Sequence, residues 1–244
     1  MWWRSGMGRR PYVLTSILGG LALIGMLIAP YMALVHASIE KNMGLAQKIF
    51  YFHVPSAFAM YAGFFLVFIF SVLYLWKRDK RWDIWAFCSA EVGVLFCTLV
   101  LFTGPLWAKP AWGAWWVWDY QLTLTLVLWL IYVAYLMLKN YSEESLQSAK
   151  FRAVLGIIGF LDAPLIHYST QLWRSHHPQV IRADKVGLPP DMKTAFYVCV
   201  ITFFILFFAI LFKRVSLEKA EDELESLKAE VKDRKTMLGQ MGYS

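Results

Sequence analysis

The sequence predicts an all-α integral membrane protein: six transmembrane helices, a tryptophan-rich interfacial segment at one end and a helical C-terminal tail at the other. Of its 244 residues, 59% are hydrophobic and only 17% charged, against roughly a quarter charged in soluble domains. The apolar residues gather in runs at about 12–36, 46–76, 83–106, 120–138, 152–169 and 193–212, each close to the ~20 residues that a helix needs to cross the hydrocarbon core. Within lipid, a lone segment satisfies its backbone groups only as a helix. Six runs therefore read as six helices.

The first run follows Arg4, Arg9 and Arg10 and exceeds an ordinary signal-peptide core, despite a small-residue site near Val35-His36-Ala37, so a retained helix is expected. The second carries His53 and Pro55 near its start, and the third carries Glu91 at mid-depth. The fourth opens after Asp119, a carboxylate suited either to capping the free helical amides or to contacting a ligand or partner. The fifth holds Asp162 beside Pro164; like Glu91, it is an ionisable group at a costly depth, read as serving helix packing or proton-linked chemistry. After the sixth run, Leu217, Leu224, Val231 and Leu238 recur every seven residues, with Ala220, Leu227, Arg234 and Met241 at the second seam position. That pattern describes a short, charged, coiled-coil-like helix, either solvated or docked on a partner or a second copy. The chain thus divides into a membrane unit, 1–215, and a tail, 216–244.

Orientation follows from the basic residues. With the N-terminus inside, 17 of the 24 Lys and Arg fall on the inner side, the asymmetry expected of cytoplasmic segments. Both termini are then cytoplasmic. The outer side receives the turn around Glu40 and the loops at about 107–119 and 170–192.

That sorting gathers the chemistry on one side. His36, His53, His167, His176 and His177, all five histidines, lie near the outer ends of helices or in the last outer loop. The 107–119 loop holds Trp107, Trp112, Trp115, Trp116 and Trp118, five of the chain's 12 tryptophans. An aromatic belt scatters one or two such residues per helix end, whereas this cluster is dense enough to form a platform for a planar ligand. Were 112–118 helical and lying along the interface, Trp112, Trp115 and Trp116 would share a face, with Gly113 admitting a flat group to the backbone. A flat apolar ligand beside histidines points to haem, since imidazole ligates its iron and indole stacks on a porphyrin. His53 reads as a ligand or a backbone cap; His176 and His177 are equally placed. Lys109 and Arg174 offer positive charge for haem propionates. Cys88, Cys97 and Cys199 form no Cys-x-x-Cys pair, which excludes covalent c-type attachment and argues against a zinc site. No glycine-rich phosphate loop is present, so the chain is not expected to hydrolyse ATP, and its basic residues flank apolar runs rather than forming a nucleic-acid face.

The run Trp112-Gly113-Ala114-Trp115-Trp116-Val117-Trp118-Asp119, with Thr103-Gly104-Pro105-Leu106-Trp107 before it, Leu122-Thr123 after it, and Phe52-His53-Val54-Pro55 and Pro164-Leu165-Ile166-His167-Tyr168-Ser169 elsewhere, resembles the tryptophan-rich haem-handling proteins. Within them it is most similar to the cytochrome c maturation protein C family, over nearly all of 12–212. The resemblance implies a six-helix bacterial inner-membrane protein, not an enzyme, that holds haem b non-covalently at the periplasmic surface. It implies His53 and His177 as axial ligands, with His176 the adjacent alternative, and the five tryptophans and Asp119 as haem-binding residues. It further implies delivery to a membrane-anchored periplasmic haem chaperone, in a complex with an ATP-binding cassette pair and a small single-span subunit. Two other classes make different demands. A b-type electron-transfer subunit places paired histidines within helices at two depths, and a haem-export channel needs a polar path for which Glu91 and Asp162 are thin support.

Overall fold

A computed structural model describes residues 10–141, 146–172 and 187–241. The described chain is helical: α1 (Arg10–Tyr31) runs on through a π turn at Met32–His36, and a 3-10 turn at Leu45–Ile49 leads into α2 (Phe50–Lys77). There follow α3 (Lys80–Trp112), α4 (Tyr120–Tyr141), α5 (Leu146–Phe160), α6 (Asp162–Leu172) and α7 (Pro190–Met241). Five stretches are long and apolar enough to cross a membrane: Val13–His36, Leu45–Lys77, Lys80–Trp112, Tyr120–Lys139 and Pro190–Met237.

The 152–169 run departs from the single helix expected of it. It is divided at Leu161, whose N–H bonds back to the Ile158 carbonyl at 3.1 Å while α6 restarts at Asp162. Pro164 explains the break: its ring would clash with the carbonyl four residues earlier, on Phe160, and it has no N–H to donate there. Placed in the first turn of α6, the same ring is tolerated.

Two further expectations change. The 112–118 stretch is not a helix, because α3 ends at Trp112 and Gly113 takes φ +77°, donating to the Lys109 carbonyl at 3.0 Å in a left-handed cap. The tail is not a separate helix either; α7 runs unbroken through 52 residues, about 78 Å at 1.5 Å per residue.

α2 and α3 form the centre of the bundle, joined by a hairpin of only Arg78 and Asp79. Asp79 caps α3 by accepting from the Arg81 N–H at 2.9 Å, and the Arg81 guanidinium beside it holds its carboxyl below the usual range. Their backbones touch at Gly63, where a Cβ would lie 2.8 Å from the Gly93 Cα. Phe64 stacks on Tyr132 of α4 at 3.9 Å, 8° from parallel. Exposed apolar side chains such as Leu27, Trp76, Phe102 and Ile201 form the perimeter, as expected of a bundle whose solvent is lipid. The antiparallel run of α1 to α4 puts residues 36–53, 103–120 and 190–191 at one end. There the Ser38 N–H donates to Asp191 Oδ2 at 2.8 Å, tying the α1–α2 connection to the start of α7.

Candidate functional site

The site is assembled from the start of α2 and the end of α3. His53, half-buried on the first turns of α2, places Nδ1 2.8 Å from Thr103 Oγ1 on α3. Thr103 in turn donates to the Leu99 carbonyl of its own helix at 2.7 Å. The next residue, Gly104, passes close to the same ring, and a Cβ there would sit in ordinary contact with His53 Cε1 at 3.6 Å. Pro105 follows and lines an apolar recess of about 330 Å³ with Leu101, Trp116, Trp118 and Leu126. Thr103 and Pro105, two apart on α3, point to different sides of the helix, so the histidine and this recess share the end of α3 without sharing a face.

The tryptophans are arranged as two pairs. Trp107 and Trp112, in the last turns of α3, meet edge to face with centroids 5.0 Å apart and planes at 84°. Beyond Gly113 the chain leaves helical geometry, and Trp116 meets Trp118 at 5.7 Å and 74°. Edge-to-face pairing holds the rings rigidly while leaving one face of a ring available to a third flat partner. Trp115 and Trp118 are 56% and 77% exposed, and the buried Trp116 indole N–H has no hydrogen-bond partner among the described residues. An unpaired buried donor is costly, so this N–H is a suitable contact for a polar edge of a bound ligand. Lys109 is turned to the turn itself, its ammonium donating to the Gly113 carbonyl at 3.0 Å.

Asp119 is the N-cap of α4. Its Oδ1 accepts from the Leu122 N–H at 2.9 Å and its carbonyl from the Thr123 N–H at 3.0 Å, fixing the direction in which the tryptophan segment enters the helix. His36 is exposed at the end of the π turn, and His167 lies within α6. His176, His177 and Arg174 lie outside the described residues.

Glu91 and Asp162 take different places. The Glu91 carboxylate pairs with Arg214 of α7 at 2.8 Å and so bolts α3 to α7, far along α3 from the tryptophans. Asp162 Oδ2 is buried at the α5–α6 break without a hydrogen bond among the described residues. Two features escaped the reading of the sequence: the role of Thr103, visible there only as part of a motif, and the partners of the membrane-depth charges. A rule that such charges pair with one another would have called for a partner to Glu91 without naming Arg214.

The chain that carries this geometry, a half-buried imidazole anchored through one nitrogen at the same end of the bundle as a dense tryptophan surface, is similar to known proteins. The family described as Heme exporter protein C matches residues 9–230. The chain belongs to that family. A Heme exporter protein C of Haemophilus influenzae is 27% identical over 212 residues, covering 86% of each chain. That of Paracoccus denitrificans is 30% identical over 196 residues, 78% of this chain and 80% of its own. A putative cytochrome c biosynthesis ccmC-like mitochondrial protein of Marchantia polymorpha is 29% identical over 192 residues, 78% of this chain and 82% of its own.

Proposed function

We propose that this haem exporter C family chain handles haem for cytochrome c biogenesis, binding haem b non-covalently at its tryptophan end and handing it to a membrane-anchored periplasmic haem chaperone. The observation that carries the reading is that His53, held through Nδ1 by Thr103, lies at the same end of the bundle as the recess of Trp116 and Trp118. The residues fit the group: an imidazole oriented by its second nitrogen is the usual form of an axial ligand, and the recess is apolar and lined by indole rings. In this reading His53 supplies one axial nitrogen, and His177 of the last outer loop the other, with His176 the alternative. Trp107, Trp112, Trp115, Trp116 and Trp118 bind the porphyrin face, and Asp119 fixes the segment that carries them. Haem brings the iron and the vinyl groups that later become attached to cytochrome c; this chain binds, orients and releases it and performs no bond chemistry itself.

The same reading places the protein in the bacterial inner membrane with both termini cytoplasmic and the tryptophan end periplasmic. α5 and α6 together make the fifth of six crossings, 1–215 is the membrane unit, and 216–244 is a cytoplasmic tail. Its partners are the chaperone, an ATP-binding cassette pair that carries out any ATP hydrolysis, and a small single-span subunit. The test is an absorption spectrum of the purified protein before and after the chaperone is added. Haem that co-purifies and departs only into the chaperone supports the reading; haem that never co-purifies, or leaves without a partner at the same rate, overturns it.

A further inference from the structure

We infer that Thr103 is a positioning residue that sets the tautomer and donor strength of the His53 imidazole, an inference that rests on the reading of His53 as an iron ligand. A threonine hydroxyl has a single proton. Thr103 spends it on the Leu99 carbonyl at 2.7 Å, the nearer of two carbonyls, the other being Val100 at 3.4 Å. The lone pairs of Oγ1 then face His53, and the 2.8 Å contact requires the imidazole to donate from Nδ1. A neutral ring protonated on Nδ1 carries its lone pair on Nε2, the nitrogen at the far edge of the ring from Thr103. Two rigid features preserve this geometry: back-bonding holds the β-branched Thr103 side chain in one orientation, and the Gly63–Gly93 contact fixes the separation of α2 and α3.

The identity of the acceptor matters as well as its position. A carboxylate at Nδ1 would give the ring imidazolate character and tighten its bond to iron, whereas a hydroxyl that has already given up its proton is a weaker, uncharged acceptor. It orients the ring and raises its basicity only moderately. That suits a ligand whose cargo must leave. Loss of the acceptor lowers the basicity of Nε2, which loosens haem and raises the reduction potential of the iron.

Two measurements test this on the full chain. The first needs no haem: nitrogen NMR of ¹⁵N-histidine-labelled protein in nanodiscs, with the His53 signals assigned by difference against His53→Gln. Protonated Nδ1 with bare Nε2 is expected; protonation on Nε2 overturns the inference. The second compares Thr103→Val, which keeps the shape and removes the acceptor, with Thr103→Ser, which keeps the acceptor. Thr103→Val is expected to weaken haem retention about 10- to 100-fold and raise the potential, with Thr103→Ser close to the parent in both. Parental affinity and potential in Thr103→Val overturn the inference while leaving the haem reading standing. If His53→Ala leaves the haem spectrum unchanged, the ligand reading itself fails and the positioning role falls with it.

Discussion

The two ends of the bundle are built on opposite principles. At the charged end, α3, α4, α5 and α7 are cross-linked by ions: Arg152 of α5 to Asp83 of α3 at 2.6 Å, Arg214 of α7 to Glu91 of α3 at 2.8 Å, and Lys80 of α3 to Asp222 of α7 at 3.0 Å. Glu218, 3% exposed, takes both Lys139 of α4 and Arg214. At the tryptophan end, Lys48 is buried too, yet its ammonium donates to the Ala37 and Ser38 carbonyls rather than to a carboxylate. Among the described residues, that end is joined by a His53–Thr103 contact, a Ser38–Asp191 bond, edge-to-face indoles and an apolar cluster that includes Tyr51, Met192 and Phe196. One end fixes the helices; the other, on the function proposed above, presents surface to something that comes and goes.

The comparison breaks first if the ion pairs prove dispensable. Arg152 and Asp83 have side chains only 5% and 12% exposed, so Arg152→Leu strands a buried carboxylate. A loss of about 3–5 kcal/mol is expected, read as a fall in thermal stability in detergent. Replacing both residues with leucine should return most of it, because the penalty is the orphaned charge rather than the missing attraction. Next in size is Glu218→Gln, which removes the shared carboxylate while Arg214 keeps Glu91. About 1.5–3 kcal/mol is expected, together with faster proteolysis of α7 beyond Arg214. Unchanged digestion would mean that α7 is held by packing alone.

Much of this contrast was legible in the sequence, and the rest fails for identifiable reasons. Run length alone marked out five helices, and Asp119 announced a helix start because a carboxylate before an apolar run satisfies free amides whatever surrounds it. Hydropathy could not register the break at Leu161, since Pro164 acts through a clash with one carbonyl and leaves the apolar count untouched. The helical spacing of Trp112, Trp115 and Trp116 misled because Gly113, read as room for a ligand, instead takes the left-handed conformation that ends α3. Glu91 and Arg214 lie far apart in the chain, and one sequence does not say which distant cation meets which buried carboxylate. His53 and the tryptophans became candidates by residue type; Thr103 did not, because a threonine becomes informative only once a ring nitrogen is seen 2.8 Å away.

A third experiment sharpens the comparison from the other end. Trp115 is 56% exposed and Trp116 lines the recess, so replacing both with alanine should leave thermal stability nearly unchanged while weakening haem retention by about 1–3 kcal/mol, on the order of tenfold or more. Complex formation with the chaperone should fall in parallel. A large loss of stability with normal haem retention would reverse the roles assigned to the two ends.

The smallest effect is expected where α7 leaves the bundle. Up to Asp222 the helix is anchored, through Arg214, Glu218 and the Lys80 contact. Beyond it, Leu224, Leu227 and Val231 are about half exposed, and the Arg234–Glu230 pair lies within the helix itself. A stop after Glu223 therefore keeps the Arg214–Glu91, Lys139–Glu218 and Lys80–Asp222 pairs that bind α7 to the other helices and removes the projecting part. Thermal stability should move by no more than about 0.5 kcal/mol, and haem retention should not move at all, since the deleted residues are at the opposite end from His53 and the tryptophans. Co-purification of the cytoplasmic ATP-binding subunit is the readout expected to drop, because the exposed leucines then have no helix to display them. If the shortened protein keeps that partner, the stripe has no assembly role; if it loses haem, the two ends are coupled through α7, and the division between a fixed end and an exchanging end is wrong.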